Sequence, residues 1–335
     1  MFLLGGGGLH NSPFFSIIIP VYNAKPYIAR CLESCINQTF FDIEIIVVDD
    51  CGSDESIEIV EEYTKKDKRI KILHNKENLG TFHARVCGER YANGFYILHI
   101  DSDDFIKSVA CEEFYKTIQS DYNTTGIYAD FCCFKVEFLP KGIFKKTPLY
   151  IRDILYQKEI LENFLIKASS PPVVIWNKVY KRDLLRKIDD FIRFNFQNLS
   201  KIIMGEDLLK FFFIVIFSHK SIGLNKDLYV YCDNENSVTR NINSEARDKR
   251  VADLKYILTL FDNCTRLDLL QEKHILSAIK KIKNILRSSI ELEYRYDTFY
   301  FSYLKACIKS LFFYRKWKTY VRILVYFLSF GKIKL

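Results

Sequence analysis

The 335-residue sequence lacks several features that would take it out of the ordinary soluble classes. Its 7 prolines and 13 glycines are too few for a collagen or a proline-rich low-complexity chain. Its most apolar runs, Phe211–Phe217 and Ile323–Phe330, fall well short of the about 18 residues that suggest a bilayer-spanning helix. No basic stretch precedes the short apolar start Met1–Leu4, so it does not read as a secretory leader. Gly5–Gly8 is not followed by the Gly-Lys-Ser/Thr of a phosphate loop, and residues 1–13 read as a flexible extension. A dinucleotide-type G-x-G-x-x-G is also missing. The 10 cysteines form no CxxC and no zinc-type spacing. They lie mostly in apolar runs, as reduced core thiols of a cytosolic protein would.

One absence is local. No Asp or Glu follows Asp297, while residues 298–335 carry 8 Lys and Arg. The net charge of +8 therefore belongs to this tail, and the rest balances at 41 bases against 41 acids. The first 110 residues lean the other way, with 11 bases and 16 acids. The tail interleaves its bases with aromatics such as Phe312, Trp317, Tyr320 and Phe327. That mixture suits an anionic membrane surface. The competing readings are a helical hairpin packed on the protein with a basic outer face and, last, nucleic acid.

What is present in the first half is a regular alternation. Phe15–Pro20, Ile43–Val48, Ile70–His74 and Phe95–Ile100 read as buried strands. Helical spacing is found over Pro26–Gln38, over Glu55–Lys66 with Ser53 or Asp54 as N-cap, and over Thr81–Ala92. Asp121–Gly126 reads as a turn before a strand at Ile127–Phe138. This βα alternation predicts an α/β fold with a largely parallel sheet, whose ligand crevice lies at the carboxyl ends of the strands. Beyond residue 140 the pattern weakens. Leu208–Phe217 fits a helix or a strand, and Glu245 onward is helical.

Two acidic clusters fall at strand ends: Asp49-Asp50-Cys51-Gly52-Ser53-Asp54 and Asp101-Ser102-Asp103-Asp104. Converging carboxylates repel one another and persist beside a cation or many donors. Hard oxygen ligands suit Mg2+ or Mn2+, which commonly bind substrate phosphates as well. An acidic crevice of this kind fits a nucleotide diphosphate.

These residues carry a resemblance. Pro20-Val21-Tyr22-Asn23, Gln38-Thr39-Phe40, the Asp49–Ser56 cluster, Asn78-Leu79-Gly80, Arg85 and Asp101-Ser102-Asp103-Asp104 occur in the order and spacing of glycosyltransferase family 2. Asn37–Cys51 and Trp176–Arg182 resemble bacterial lipooligosaccharide β-1,3-galactosyltransferases in particular. The resemblance implies a GT-A (Rossmann-like) domain over residues 14–240, with a nucleotide-binding half (14–110) and an acceptor half (111–240), followed by a mainly helical region (241–335). It implies inverting transfer of a sugar from a UDP-sugar, galactose first, to a lipooligosaccharide or other surface-glycan acceptor. UDP-GlcNAc, UDP-GalNAc and UDP-Glc are alternative donors. Pro20, Val21 and Tyr22 would line the base, and Asp50 would accept from the uracil N3–H. Arg85, Asp101 and Ser102 would hold the rest of the nucleotide, and Asp103 with Asp104 would bind Mn2+ or Mg2+. Asp207 would be the general base, with Glu206 orienting it or the acceptor. The competing reading of that pair is a helix-start acid pair set by the helix dipole. The sequence departs from the family at Val86, where members often carry Asn, and no His is given a chemical role. A sugar nucleotidyltransferase ranks low, because Val21–Ala24 is not a glycine-rich phosphate loop. A non-catalytic membrane-surface scaffold is the third reading. The expected setting is the cytoplasm, peripheral on the inner face of the inner membrane.

Overall fold

The structure, a computed structural model, describes residues 12–141, 148–196, 199, 201–234, 243–296, 301–329 and 331. The expected Gly5–Gly8 extension lies outside them. The chain forms two compact units: residues 1–153, 176–190 and 222–232 make one, and 154–175, 191–221 and 233–335 the other.

The first unit opens with β1 (Phe15–Val21), α1 (Ile28–Ile36), β2 (Ile43–Asp49), α2 (Ser56–Lys66), β3 (Ile70–His74), α3 (Thr81–Tyr91), β4 (Tyr96–His99) and β5 (Phe105–Ile106). Helix α4 (Ala110–Thr125) and β6 (Phe131–Leu139) follow, with β8 (Lys178–Lys181) and most of β9 (Lys220–Cys232) coming later. Between them in sequence lies β7 (Leu155–Tyr156), which belongs to the second unit. Sheet order is β3-β2-β1-β4-β8-β6-β9-β5. The four strands of the regular alternation are parallel, as expected. β8 then runs antiparallel to both β4 and β6, so the sheet is mixed. β1 is buried at every position and β2 at all but its last, which explains their continuous β-branched runs.

Local departures from expectation have simple causes. α1 is shorter than its apolar spacing, which is buried through Ile28, Cys31, Leu32 and Cys35. At α2 the cap position is Glu55, yet the Asp54 carboxylate accepts from Ser56 N at 3.1 Å. Asp121–Thr125 is the last turn of α4 rather than a loop. The Thr124 and Thr125 hydroxyls donate to the Ser120 and Asp121 carbonyls, and left-handed Gly126 ends the helix.

A buried carboxylate joins the parallel strands. Glu44 on β2 accepts from Ser16 Oγ on β1 (2.6 Å), Lys71 Nζ on β3 (2.7 Å) and Asn93 N before β4 (2.6 Å). A Cβ on Gly94 would lie 2.4 Å from Ser16 N, so this corner requires glycine. Burial alone would raise the Glu44 carboxyl, but the Lys71, Ser16 and Asn93 donors outweigh it and hold it below its ordinary range.

In the second unit, β7 pairs with the start of β9, Leu155 opposite Ser221. After α5 (Lys158–Leu161) and α6 (Arg182–Asn195) in the chain, the segment that fits helix or strand is a helix, α7 (Glu206–Phe217), buried from Leu208 to Val215. Its phenylalanines explain the continuous apolar run: Phe211 meets Phe164, Phe212 meets Phe261 and Phe213 meets Phe191. Helices α8 (Ser244–Cys264), α9 (Lys273–Glu293), α10 (Ser302–Phe313) and α11 (Trp317–Leu328) complete it. The buried Ser288 and Ser310 hydroxyls bond α9 to α10 at 2.7 Å, and Tyr303 stacks on Tyr326 between α10 and α11. All 10 cysteines are free thiols. Among the described residues no helix is long and apolar enough to cross a membrane.

Glu44→Gln removes the charge but keeps the shape. It is expected to destabilise the protein by about 1–3 kcal/mol at pH 7. Because the folded-state pKa is depressed, the contribution is complete above the unfolded value near about 4.3 and fades as pH falls through the folded one. Urea midpoints of the two proteins should therefore converge in acid.

Candidate functional site

The carboxyl ends of β1, β2 and β4 are adjacent by register, with Val21 opposite Asp49 and Ile18 opposite His99. The loops leaving them form the candidate site. Pro20 and Val21 are core residues, so their side chains do not line a surface. Tyr22 is 51% exposed and presents its ring. Asn23 and Cys51 both hold left-handed backbone, φ 50° and 58°, a cost carried at few positions in a fold. The two loops interlock. Asn23 Oδ1 accepts from Ser53 N at 2.7 Å, and a Cβ on Gly52 would lie 2.9 Å from Asn23 N.

Asp50 is buried under this end. Its Oδ1 accepts from Asn75 Nδ2 (2.7 Å) and Leu79 N (2.9 Å), and its Oδ2 from Gly80 N (2.8 Å). It thus fixes the turn that starts α3, where Gly80 sits at φ 85°. Three donors leave carboxylate lone-pair capacity on Oδ2. Asp49 is used locally, by His74 Nδ1 and Cys51 N.

The second acidic cluster is clamped from two sides. On the α1 side, Arg30 Nη2 donates to the Asp103 carbonyl (2.6 Å), with its guanidinium 5.1 Å from the Phe105 ring centroid. Ser34 Oγ accepts from Ile106 N, and Gln38 donates to the Lys107 carbonyl while accepting from Cys111 N. Gln38 and Thr39 are thus structural ties, since Thr39 N also donates to the Ser108 carbonyl. On the other side β5 pairs with β9, Phe105 opposite Val230.

The carboxylates of this loop are separated in role. Asp101 Oδ1 takes the Arg85 guanidinium at 2.5 Å, so two residues expected to hold nucleotide bind each other. Asp104 is fully buried and points inward. Its Oδ2 accepts from Tyr229 Oη at 2.6 Å and its Oδ1 from Cys232 N at 2.7 Å. The expected metal contact of Asp104 is therefore not how the fold uses it. Burial, then the Asp101 charge, pushes its carboxyl up to about 8 despite those donors. Tyr229 Oη also accepts from Asp101 N (3.1 Å), and its ring stacks on Trp176. The Trp176–Arg182 motif supports this backing: Asn177 Oδ1 accepts from the buried Lys178 ammonium. Asp103 and Ser102 remain half-buried.

Among the described residues no cluster of three or more His, Cys, Asp or Glu is arranged to hold a metal. A Mg2+- or Mn2+-type ion shared with a diphosphate needs only one or two carboxylates. The half-buried Asp103, beside the Arg85-paired Asp101, fits that smaller requirement.

In the second unit Glu206 and Asp207 form the first turn of α7, after left-handed Gly205 at φ 92°. Both are half-buried. The approach to them is held by Asp253 of α8, whose Oδ2 accepts from Ile203 N at 2.8 Å. Of the histidines, His99 is fully buried against Glu89 (2.9 Å), in keeping with a packing role. Arg30, Tyr229 and Cys232 were not picked out by the sequence. No motif marks them, and Tyr229 meets its carboxylate across 125 residues.

The model of the family described as Glycosyl transferase family 2 matches residues 16–189. EpsJ of Bacillus subtilis, an uncharacterized glycosyltransferase, is 31% identical over 71% of this chain and 67% of its own length. The glycosyltransferase GlyA of Streptococcus pneumoniae is 33% identical over 67% of this chain, which spans only 31% of that relative. Among solved structures, TarS 1–349 of S. aureus in complex with UDP-GlcNAc superposes with TM-score 0.62 at 20% identity. That match covers 95% of this chain and 88% of that one.

Tyr229→Phe deletes the hydroxyl shared by Asp104 and Asp101 N while keeping the ring on Trp176. It should cost about 1–3 kcal/mol, the range for leaving buried polar groups unsatisfied. Equilibrium denaturation checks this, and an unchanged midpoint would contradict the clamp.

Proposed function

The chain belongs to glycosyl transferase family 2 and is a glycosyltransferase; on that premise we propose that it moves a sugar with inversion from a UDP-sugar to a hydroxyl of a surface-glycan acceptor. UDP-galactose and a lipooligosaccharide acceptor are the first choices, on the sequence resemblance. The observation that carries the reading is the gathering of exposed Tyr22, buried Asp50 and the Asp101–Asp104 loop at adjacent parallel-strand ends.

In this reading residues 14–110 hold the nucleotide and 111–240 the acceptor. The Tyr22 ring lies against uracil, and Asp50 Oδ2 accepts the N3–H, which discriminates against bases lacking that donor. Arg85 is preorganised by Asp101 and meets negative charge at the nucleotide, with Ser102 beside it. Asp103 would hold Mn2+ or Mg2+ together with the diphosphate. A bound ion would supply positive charge that offsets the negative charge growing on the departing UDP. Asp104 positions the loop and is not a ligand. The Asp207 carboxylate takes the proton from the acceptor hydroxyl as that oxygen bonds to the anomeric carbon and the bond to UDP breaks. A single displacement turns an α-linked donor into a β-linked product. Glu206 orients Asp207 or the acceptor. UDP-GlcNAc is the second donor to test, because TarS was solved with it. A lipid-borne acceptor would make the protein peripheral on the cytoplasmic face of the inner membrane.

The test is a UDP-sugar screen against short glycolipid acceptors, with linkage read by NMR. Asp103→Ala and Asp207→Asn should each lower kcat by at least about 100-fold. Only Asp103→Ala should abolish Mn2+-dependent UDP binding in calorimetry. Full turnover by Asp207→Asn would remove it as the base.

A further inference from the structure

The outer face of α11 is apolar. Trp317 (65% exposed), Tyr320, Val321, Leu324 (57%), Phe327 and Leu328 (72%) recur at helical spacing and all face away from the unit's interior. The opposite face is accounted for: Thr319 and Tyr326 are buried, and Tyr326 is stacked on Tyr303. The neighbouring α10 adds Phe312 at 82% exposure. An exposed apolar stripe of this extent on a soluble fold marks a surface that meets something.

Charge selects the occupant. Among described residues 301–329 there are Lys305, Lys309, Arg315, Lys316, Lys318 and Arg322, and no acid. Burial, then the Arg322 and Lys318 charges, pulls the Lys316 ammonium below its ordinary range, so positive charge is crowded here. A second copy of this face would bring the same cations against them. An anionic bilayer offers acyl boundary to the aromatics and negative head groups to the bases.

We propose that α11, with the end of α10, is an interfacial anchor that lies in the plane of an anionic membrane with its Trp317–Leu324–Phe327 stripe inserted. This deepens the peripheral-membrane part of the reading above and rests on it. The tail supplies attachment, and the acceptor need not supply it.

The experiment is sedimentation of the full chain with phosphatidylglycerol-containing vesicles and with phosphatidylcholine vesicles. Wild-type protein should bind the first much more strongly, and salt should weaken that binding. Leu324→Glu/Phe327→Glu should reduce partitioning by about tenfold or more. Arg315→Glu/Lys318→Glu, changing only exposed bases, should remove the preference for anionic vesicles. Circular dichroism and transfer to a water-soluble acceptor should be unchanged in both variants. Undiminished binding by Leu324→Glu/Phe327→Glu overturns the proposal, as does equal wild-type binding to both vesicles. So does a dimer that this variant dissociates without any vesicle binding by the wild type. Vesicle binding is read without sugar transfer, so a failed donor screen and a failed anchor are distinguishable.

Discussion

Three carboxylates within four residues, at the end of a buried strand, repel one another strongly wherever water is scarce. The first unit is organised around that repulsion. Arg85 pairs with Asp101, burial and the Asp101 charge raise the Asp104 carboxyl above its ordinary range, and Tyr229 and Cys232 satisfy its oxygens. Asp103 is half-buried, on a loop whose backbone carbonyl Arg30 of α1 holds, while Gln38 ties down Lys107 beyond β5. An electrostatic penalty is thereby turned into a directed charge.

This arrangement was legible only in part. The four parallel strands and their helices could be read because burial on both faces leaves continuous β-branched runs, and because Asp and Gly punctuate the strand ends. The site loops could be placed for the same reason. The fate of each carboxylate could not. Asp103 and Asp104 are chemically identical neighbours, and what separates them is Tyr229, 125 residues downstream of Asp104. The directions of β8 and β9 were hidden because antiparallel strands of the second half show weak periodicity. Glu206-Asp207 satisfies two descriptions at once, acids in a first helical turn and the acid pair of the resemblance, and position alone does not choose between them.

The tail teaches a related point. Counting charges located the excess of bases, and interleaved aromatics suggested a surface. Which face of α11 turns inward was not in that count. It is set by partners on other helices: Tyr303 receives Tyr326, and the Ser288–Ser310 pair seats α10 on α9. With those contacts made, Tyr326 and Ile323 pack inward, and Trp317, Leu324 and Phe327 stay exposed.

The interlock between Asn23 and Gly52 limits how this end of the molecule can diverge. A side chain at residue 52 would strike the Asn23 backbone, and Asn23 in turn supplies the acceptor for Ser53 N. Neither loop can drift by single substitutions without breaking the other. Viable descendants should therefore change both loops together or neither, and divergence at this end would come as a linked block of substitutions spanning two strand ends.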